Sequence, residues 1–270
     1  MNHATDAELV SIIIPVHNEA RFLELVVRTV TASPINKEIV IVNDGSTDDS
    51  GAMLDRLQEE LSLTVLTHPR CLGKGSAIRT GIAASHGSII LIQDADLEYD
   101  PEDYPTLLGP LLKGRASIVY GSRFLRAHRV SDVWYRAGNW IITMLVNLLF
   151  NASLTDVETG YKAFRRDVLN GLQLRAMGFE FEIELTCRLL RSGQSICEMP
   201  IAYDDRTHAE EKNITWIDGV YALWVILRCR LTPASMRAAA QAPLEPVEPA
   251  AQCVARQPLQ DAVEELHSTY

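Results

Sequence analysis

The chain is poor in several features that would have assigned it to large functional classes. Basic residues are in deficit: 25 Lys and Arg face 35 Asp and Glu, a net charge of −10. Nucleic-acid phosphates are neutralised by clustered cations, so a general basic field for nucleic acid is absent. A local basic pocket for a phosphate ligand remains compatible with this balance. Cysteine is sparse: Cys71, Cys187, Cys197, Cys229 and Cys253 are scattered, odd in number and without a Cys-x-x-Cys pair. That pattern predicts reduced thiols rather than a disulfide framework or a zinc site. Met1 to Ala7 lack a basic stretch followed by an apolar core, so no signal peptide is expected and the chain reads as cytosolic. Long apolar runs are also missing. A hydrocarbon core of about 30 Å needs about 20 apolar residues, and Asn139 to Asn151 falls short of that.

What is present is globular. Hydrophobic residues make up 47% and charged residues 22% of 270 positions, enough for one to two domains with a sizeable core. Residues 232–270 differ in composition. From Pro233 onward there are nine alanines and five of the twelve prolines, and such a segment has little to bury and is expected to be disordered. The folded part is expected to be residues 1–231.

Two periodicities alternate over the first 120 residues. Leu9–Ile14, Glu38–Val42, Leu63–Thr67, Ser88–Ile92 and Ser117–Tyr120 are apolar runs of strand length. Between them Glu19–Val30, Thr47–Leu61, Gly75–Ser85 and Pro101–Lys113 read as helices, the last with Pro at its start. Continuous apolar strands alternating with helices predict an α/β fold with a buried, mostly parallel sheet. Ligands of such sheets sit beyond the carboxyl ends of the strands. The residues there are Pro15-Val16-His17-Asn18-Glu19, Asn43-Asp44-Gly45-Ser46-Thr47-Asp48-Asp49, Gln93-Asp94-Ala95-Asp96-Leu97-Glu98 and Gly121-Ser122-Arg123. Carboxylates at i and i+2 on a strand end, Asp94 and Asp96, leave the same side of the chain. They suit a hard divalent cation such as Mg²⁺. Gly73-Lys74-Gly75 is not a Walker loop, because His68 stands where its first Gly is needed. It is not a dinucleotide fingerprint either, because Ile78 stands at the third Gly. As a helix entry with a lysine it can still face phosphate.

In this order and spacing, Pro-Val-His-Asn-Glu, Asn-Asp-Gly-Ser-Thr-Asp, Gly-Lys-Gly and Asp-Ala-Asp-Leu resemble the family 2 glycosyltransferases of GT-A fold. Within them they resemble the dolichyl-phosphate mannosyltransferase-like branch. The resemblance covers about Leu9 to Leu231. It implies a nucleotide-binding half over about 9–123 and an acceptor and membrane-side half over about 124–231. It implies a nucleotide pocket of Pro15, Val16, Asn18, Glu19, Asp44, Lys74, Asp94 and Ala95, with Asp44 reading base or ribose. Asp94, Asp96 and Glu98 would hold Mg²⁺ or Mn²⁺ on the diphosphate. The family often has Gln where this chain has Glu98. Arg123 matches a phosphate-contacting arginine and Arg136 approximates a second. Thr159-Gly160-Tyr161-Lys162 resembles an acceptor-side Ser/Thr-Gly-Phe-Arg element. Here Lys replaces Arg and cannot give a bidentate grip. Glu182, at the start of the helix running to about Arg191, is implied as polar lining on the acceptor side. Arg206 and Lys212 match a loop that closes over donor and acceptor phosphates, and such lids exclude water.

Two apolar segments bear on membranes. In Asn139–Asn151 the polar residues Asn139, Thr143, Asn147 and Asn151 recur every fourth position and form one narrow stripe on a helix. At about 1.5 Å per residue this helix is about 20 Å long. It is either a buried helix or an interfacial one with Trp134 and Trp140 as anchors. Trp216–Leu231 poses the same choice, and the two together favour peripheral attachment at the cytoplasmic face of a membrane. The resulting expectation is inverting, metal-dependent hexose transfer from a nucleotide-diphosphate sugar to a polyprenyl phosphate. Asp96, Arg123, Arg206 and Lys212 would carry the chemistry. A phosphate acceptor is ionised near neutral pH and needs cations rather than a general base. Two alternatives remain open at this point: a sugar-hydroxyl acceptor, which requires a carboxylate base, and a non-catalytic nucleotide-sugar-binding scaffold.

Overall fold

A computed structural model describes residues 8–126, 133–203 and 216–232, with the side chains of 133–135 and 216–218 outside that description. Arg206, Lys212, the Trp134 side chain and the 233–270 segment therefore lie outside that description. A seven-stranded sheet forms the centre, in the order β3-β2-β1-β4-β6-β5-β7. The strands are β1 Val10–Val16, β2 Lys37–Asn43, β3 Thr64–Thr67, β4 Ile89–Ile92, β5 Ile118–Ser122, β6 Lys162–Arg165 and β7 Cys197–Pro200. The helices are α1 Leu23–Ala32, α2 Ser50–Glu60, α3 Lys74–Ala84, α4 Tyr104–Leu112, α5 Val133–Phe150, α6 Phe181–Arg191 and α7 Trp216–Leu231.

The reason for the continuous apolar runs is visible in β1. Side chains alternate faces along a strand. Ile12 and Ile14 pack with Val26, Ile41 and Tyr104 on one face, and Ile13 packs with Val40, Ile78, Phe164 and Phe181 on the other. All are buried, so helices cover both faces of the strand. At roughly 1.5–3 kcal/mol for each fully buried large side chain, the two faces supply the main driving force of the fold.

One strand runs against the rest. β6 lies between β4 and β5 and is antiparallel to both, with Phe164 opposite Ile90 and Ile118. It brings the preceding loop, residues 151–161, back across the carboxyl end of β4. This is what joins the second half of the chain to the carboxylate motif.

A third apolar cluster joins α5, α6 and α7 through Val146, Ile183, Cys187, Val225, Ile226 and Cys229. Cys187, Cys197 and Cys229 carry free thiols. Helix α5 is inverted relative to an ordinary surface helix. Its polar stripe is the buried side: Asn139 is 1% exposed and Thr143 5%. Asn139 Nδ2 donates to Asp156 Oδ1 at 2.8 Å and Thr143 Oγ1 donates to Asn139 Oδ1 at 2.9 Å. Asn147 clasps the backbone of Leu154 through both its N–H and its carbonyl. Trp140, Ile141, Met144 and Leu148 face outward, Leu148 at 75% exposure. The sequence leaves open whether this helix is buried; it is partly so, with Val146 in the third cluster and Trp140, Ile141, Met144 and Leu148 exposed. No helix among the described residues is long and apolar enough to cross a membrane.

Candidate functional site

The strand ends place four loops on one edge of the sheet. After β1, Val16 is buried and its carbonyl accepts from Asp44 N at 2.8 Å. Pro15 sits in β1 opposite Val42. Asn18 adopts a left-handed backbone at φ 58°, which Asn tolerates better than most residues. From there its Oδ1 accepts from Thr47 N at 2.8 Å, while its own N–H donates to Ser46 Oγ at 3.0 Å. Glu19 N donates to Ser50 Oγ at 3.0 Å. The loops after β1 and β2 thus form one unit, as their adjacency in the sheet requires.

Asp44 is 2% exposed and is heavily engaged by its own protein. His68 Nδ1 lies 2.6 Å from Oδ1, Leu72 N donates to Oδ1 at 2.9 Å and Gly73 N donates to Oδ2 at 2.7 Å. Burial pushes this carboxyl upward, but the His68 and backbone hydrogen bonds outweigh it and hold it below the usual aspartate range. The residue expected to read base or ribose is therefore also the brace of the 68–75 loop. His68, which the sequence reading considered only as a broken Walker position, is part of that brace through Thr80 Oγ1 at 3.0 Å.

That loop delivers Lys74 to the site. Gly73 stands at φ 97°, and a Cβ there would strike the Met177 carbonyl, so glycine is required twice over. Lys74 Nζ lies 2.8 Å from Asp94 Oδ1 and 2.9 Å from Oδ2, and 2.8 Å from Glu182 Oε1. Burial works against its charge, yet the two carboxylates outweigh burial and hold the ammonium well above the usual lysine value. The second oxygen of Glu182, Oε2, is buried without a hydrogen-bond partner among the described residues. Gly160 closes the group from above: a side chain there would collide with Asp94 Oδ2 and reach Lys74 Nζ at 3.3 Å. Gly160 N donates to Tyr99 Oη at 3.0 Å.

The three carboxylates expected on a metal are not equivalent. Asp94 and Asp96 are half-buried at the end of β4, flanking the buried Ala95. Leu97 takes a left-handed backbone at φ 62° and turns the chain. Glu98, 4% exposed, accepts from Tyr203 Oη at 3.0 Å through Oε2. Among the described residues, the ligand oxygens of Asp94, Asp96 and Glu98 do not gather within 4.8 Å of one another.

On the second half, Arg123 is 3% exposed and its Nε and Nη2 each donate to Asp156 at 2.7 Å. Burial would raise the Asp156 carboxyl, but Arg123 beside it holds it below the aspartate range. Arg123 is thus a fixed interior cation rather than an extended arm. Glu158, on the same loop, is pushed up to about 7, mainly by burial. Lys162, expected at the acceptor phosphate, points inward instead. It is fully buried and donates to the Val157 and Thr159 carbonyls, bracing the loop, and burial lowers its ammonium to about 8. Thr159 is buried, and its Oγ1 accepts from Tyr161 N at 3.1 Å. Arg136 is exposed near the start of α5. The sequence motifs left Asp156, Glu158 and His68 without a role and Glu182 only loosely placed. Asp156 lies 33 positions from Arg123 and 17 from Asn139, and such a pairing carries no spacing signal.

The sheet carries acidic loops and Lys74 at the carboxyl edge of its parallel strands, and comparison with known proteins gives the class. The family described as Glycosyl transferase family 2 matches residues 11–172. An undecaprenyl-phosphate mannosyltransferase of Micrococcus luteus is 30% identical over 81% of this chain and 97% of its own. A polyprenol monophosphomannose synthase of Mycolicibacterium smegmatis is 31% identical over 72% of this chain and 77% of its own. Among solved structures, glucosyl-3-phosphoglycerate synthase of Mycobacterium tuberculosis, in complex with Mn²⁺, UDP and phosphoglyceric acid, superimposes with a TM-score of 0.65 at 22% identity, covering 84% of this chain and 80% of its own. This chain belongs to glycosyl transferase family 2.

Proposed function

We propose that the protein transfers a hexose from a nucleotide-diphosphate sugar to a polyprenyl phosphate at a membrane surface, inverting the anomeric centre. The observation that carries the acceptor reading is the inverted helix α5. A helix that buries its asparagines and exposes Trp140, Ile141, Met144 and Leu148 needs an apolar environment outside the protein. Helix α7 adds Val220, Leu223, Trp224, Leu227 and Leu231, all exposed, and Arg228 lies 4.8 Å over the Trp224 ring. Aromatic and aliphatic residues edged by arginine suit the headgroup boundary of a bilayer. The two named relatives acting on lipid phosphates support the same reading.

Asp94 and Asp96 are the residues that would hold Mg²⁺ or Mn²⁺. The fit is argued from Asp94, which already takes a cation, the Lys74 ammonium, on both oxygens, and from the hard oxygen donors of the pair. The ion would neutralise the departing diphosphate. Glu98 serves by fixing the turn through Tyr203. Lys74 faces the diphosphate, and Asn18, Glu19 and Asp44 shape the nucleoside pocket with Pro15, Val16 and Ala95. Arg123 supplies fixed positive potential behind the acceptor loop. Arg136 with Arg206 and Lys212, the last two assigned from sequence, grip the acceptor phosphate. Thr159 and Lys162 hold the loop that carries Gly160. Residues 1–231 form the catalytic body.

The test is incubation of the protein with labelled GDP-mannose or UDP-glucose, Mn²⁺ and undecaprenyl phosphate in vesicles. Labelled lipid is expected from one donor. Failure to label lipid from any common donor, with the protein folded and nucleotide-bound, sinks the proposal.

A further inference from the structure

Lys74 is held by two carboxylates, not one, and only Asp94 belongs to the carboxylate motif. The other, Glu182, comes from the first turn of α6, more than a hundred positions away. Its side chain is 6% exposed and its Oε2 is buried with no hydrogen-bond partner among the described residues. A buried carboxylate oxygen left unpaired costs free energy. Glu182 is therefore poorly explained as a purely structural group. Among the described residues the polar partner of its side chain is Lys74, through Oε1 at 2.8 Å.

The conflict lies at Asp94. With Lys74 on both of its oxygens at 2.8 and 2.9 Å, Asp94 meets a divalent cation only in competition with the ammonium, and the two positive charges repel each other. The ammonium therefore has to give ground. Without a second anchor a lysine released into a low-dielectric pocket would be repelled by the arriving cation and leave. Glu182 is placed to prevent that. The 73–75 loop is itself locked to the residues before α6: Ser76 N donates to the Met177 carbonyl at 3.1 Å, and a Cβ on Gly75 would meet the Ala176 carbonyl and Phe181. Lys74 and Glu182 therefore stay in register while the Asp94 side turns.

We propose that Glu182 is a positioning residue: it retains the Lys74 ammonium when Asp94 passes to a divalent cation, keeping Lys74 beside the diphosphate of the incoming nucleotide. This rests on the donor-site reading above, but not on the identity of the acceptor. Lys74 acts as counter-ion to Asp94 before a divalent cation binds and as a phosphate ligand afterwards.

The test is Mn²⁺ binding to the full-length protein, followed by electron paramagnetic resonance, with and without GDP or UDP. In the absence of nucleotide, Lys74→Gln should tighten Mn²⁺ binding by about fivefold or more, because the competing cation is gone. The same variant should weaken Mn²⁺-dependent nucleotide binding by about tenfold. Glu182→Gln should weaken both, and its effect should shrink to less than half in the Lys74→Gln background, since it acts through Lys74. Melting curves check that each variant is folded; if Lys74→Gln does not fold, Lys74→Met replaces it in the cycle. Looser Mn²⁺ binding in the folded lysine variant, or equal effects of Glu182→Gln in both backgrounds, overturns the inference. Wild-type protein that binds Mn²⁺ with the expected variant pattern yet labels no lipid sinks the acceptor proposal alone and leaves this one standing.

Discussion

Replacing Asp156 by Asn removes one charge and almost no volume from the centre of the second half. The carboxylate accepts from Arg123 Nε and Nη2 at 2.7 Å, from Arg123 N at 3.1 Å and from Asn139 Nδ2 at 2.8 Å. Asp156 is 0% exposed and Arg123 3%. An amide presents one N–H₂ where a carboxylate presented an acceptor, so at least one donor loses its partner and meets another donor. At an effective dielectric of about 20, unit charges about 4 Å apart interact by about 4 kcal/mol. Removing one member of a buried pair costs about 3–5 kcal/mol by experience with other proteins. With about 2–4 °C per kcal/mol for a domain of this size, the melting temperature should fall by about 6–20 °C. Calorimetry or a urea titration reads this directly. The pH dependence supplies a second check. The Asp156 carboxyl is lowered in the folded state, so its contribution is present above the unfolded value near 3.9 and is lost as pH falls through the folded value. The difference between wild type and variant should be constant from about pH 8 to 5 and shrink only below about 4. A loss under about 1 kcal/mol, the range of exposed pairs, would refute the claim that Arg123 is an interior cation dependent on Asp156.

Three further outcomes follow from the same geometry. Gly160→Ala should leave the melting temperature within a few degrees, yet cut turnover by about 10²-fold or more, because the new methyl displaces Asp94 and Lys74 and small misplacements of reacting groups are costly; unaltered turnover would show that this pair is not in the donor site. Trp140→Ser with Leu148→Ser and Trp224→Ser should abolish co-sedimentation with anionic vesicles, since each large apolar side chain contributes about 1.5–3 kcal/mol when fully buried; retained binding, or conversion of a dimer to a monomer instead, would assign the face to a second copy of the chain. Glu158, pushed up to about 7 by burial, binds its proton more tightly folded than unfolded, so its contribution is present below the unfolded value near 4.3 and is lost as pH rises to about 7; Glu158→Gln should therefore gain about 1–3 kcal/mol over wild type at pH 8 and little at pH 4 in denaturant titrations.

Much of the frame is legible in the amino-acid sequence. Strands β1, β2, β4 and β5 announce themselves because burial on both faces leaves each an apolar run; β3, half-exposed at the sheet edge, offers only Val65 and Leu66 between two threonines. The carboxylates and Lys74 follow from reading strand ends. β6 was invisible for a physical reason: Lys162-Ala-Phe-Arg is short and opens with a lysine, and nothing local says that the lysine will be buried against carbonyl oxygens. The same holds for Glu182 and Asp156, whose partners are Lys74 and Arg123. Long-range ion pairs have no period, so only the fold reveals them. Helix α5 is the instructive middle case. The four-residue polar stripe was plain in the sequence, but a stripe has no sign. It reads equally as a face toward water or as a face toward a loop that needs hydrogen bonds, and only the positions of Asp156 and Leu154 decide. Glu98 was expected beside Asp94 and Asp96; the left-handed turn at Leu97 sends it to Tyr203.

The central claim is that a lipid phosphate, not a sugar hydroxyl, accepts the hexose. The most direct measurement gives one labelled sugar nucleotide, with Mn²⁺, to the protein in the presence of undecaprenyl phosphate, undecaprenol or a soluble oligosaccharide, and separates the products by extraction and mass. A sugar–phosphate–lipid is expected from the first acceptor alone, with a rate that needs no ionising carboxylate base between about pH 6.5 and 8, because the acceptor phosphate has its second pKa near 6. Transfer to undecaprenol or to the oligosaccharide at a comparable rate would contradict it.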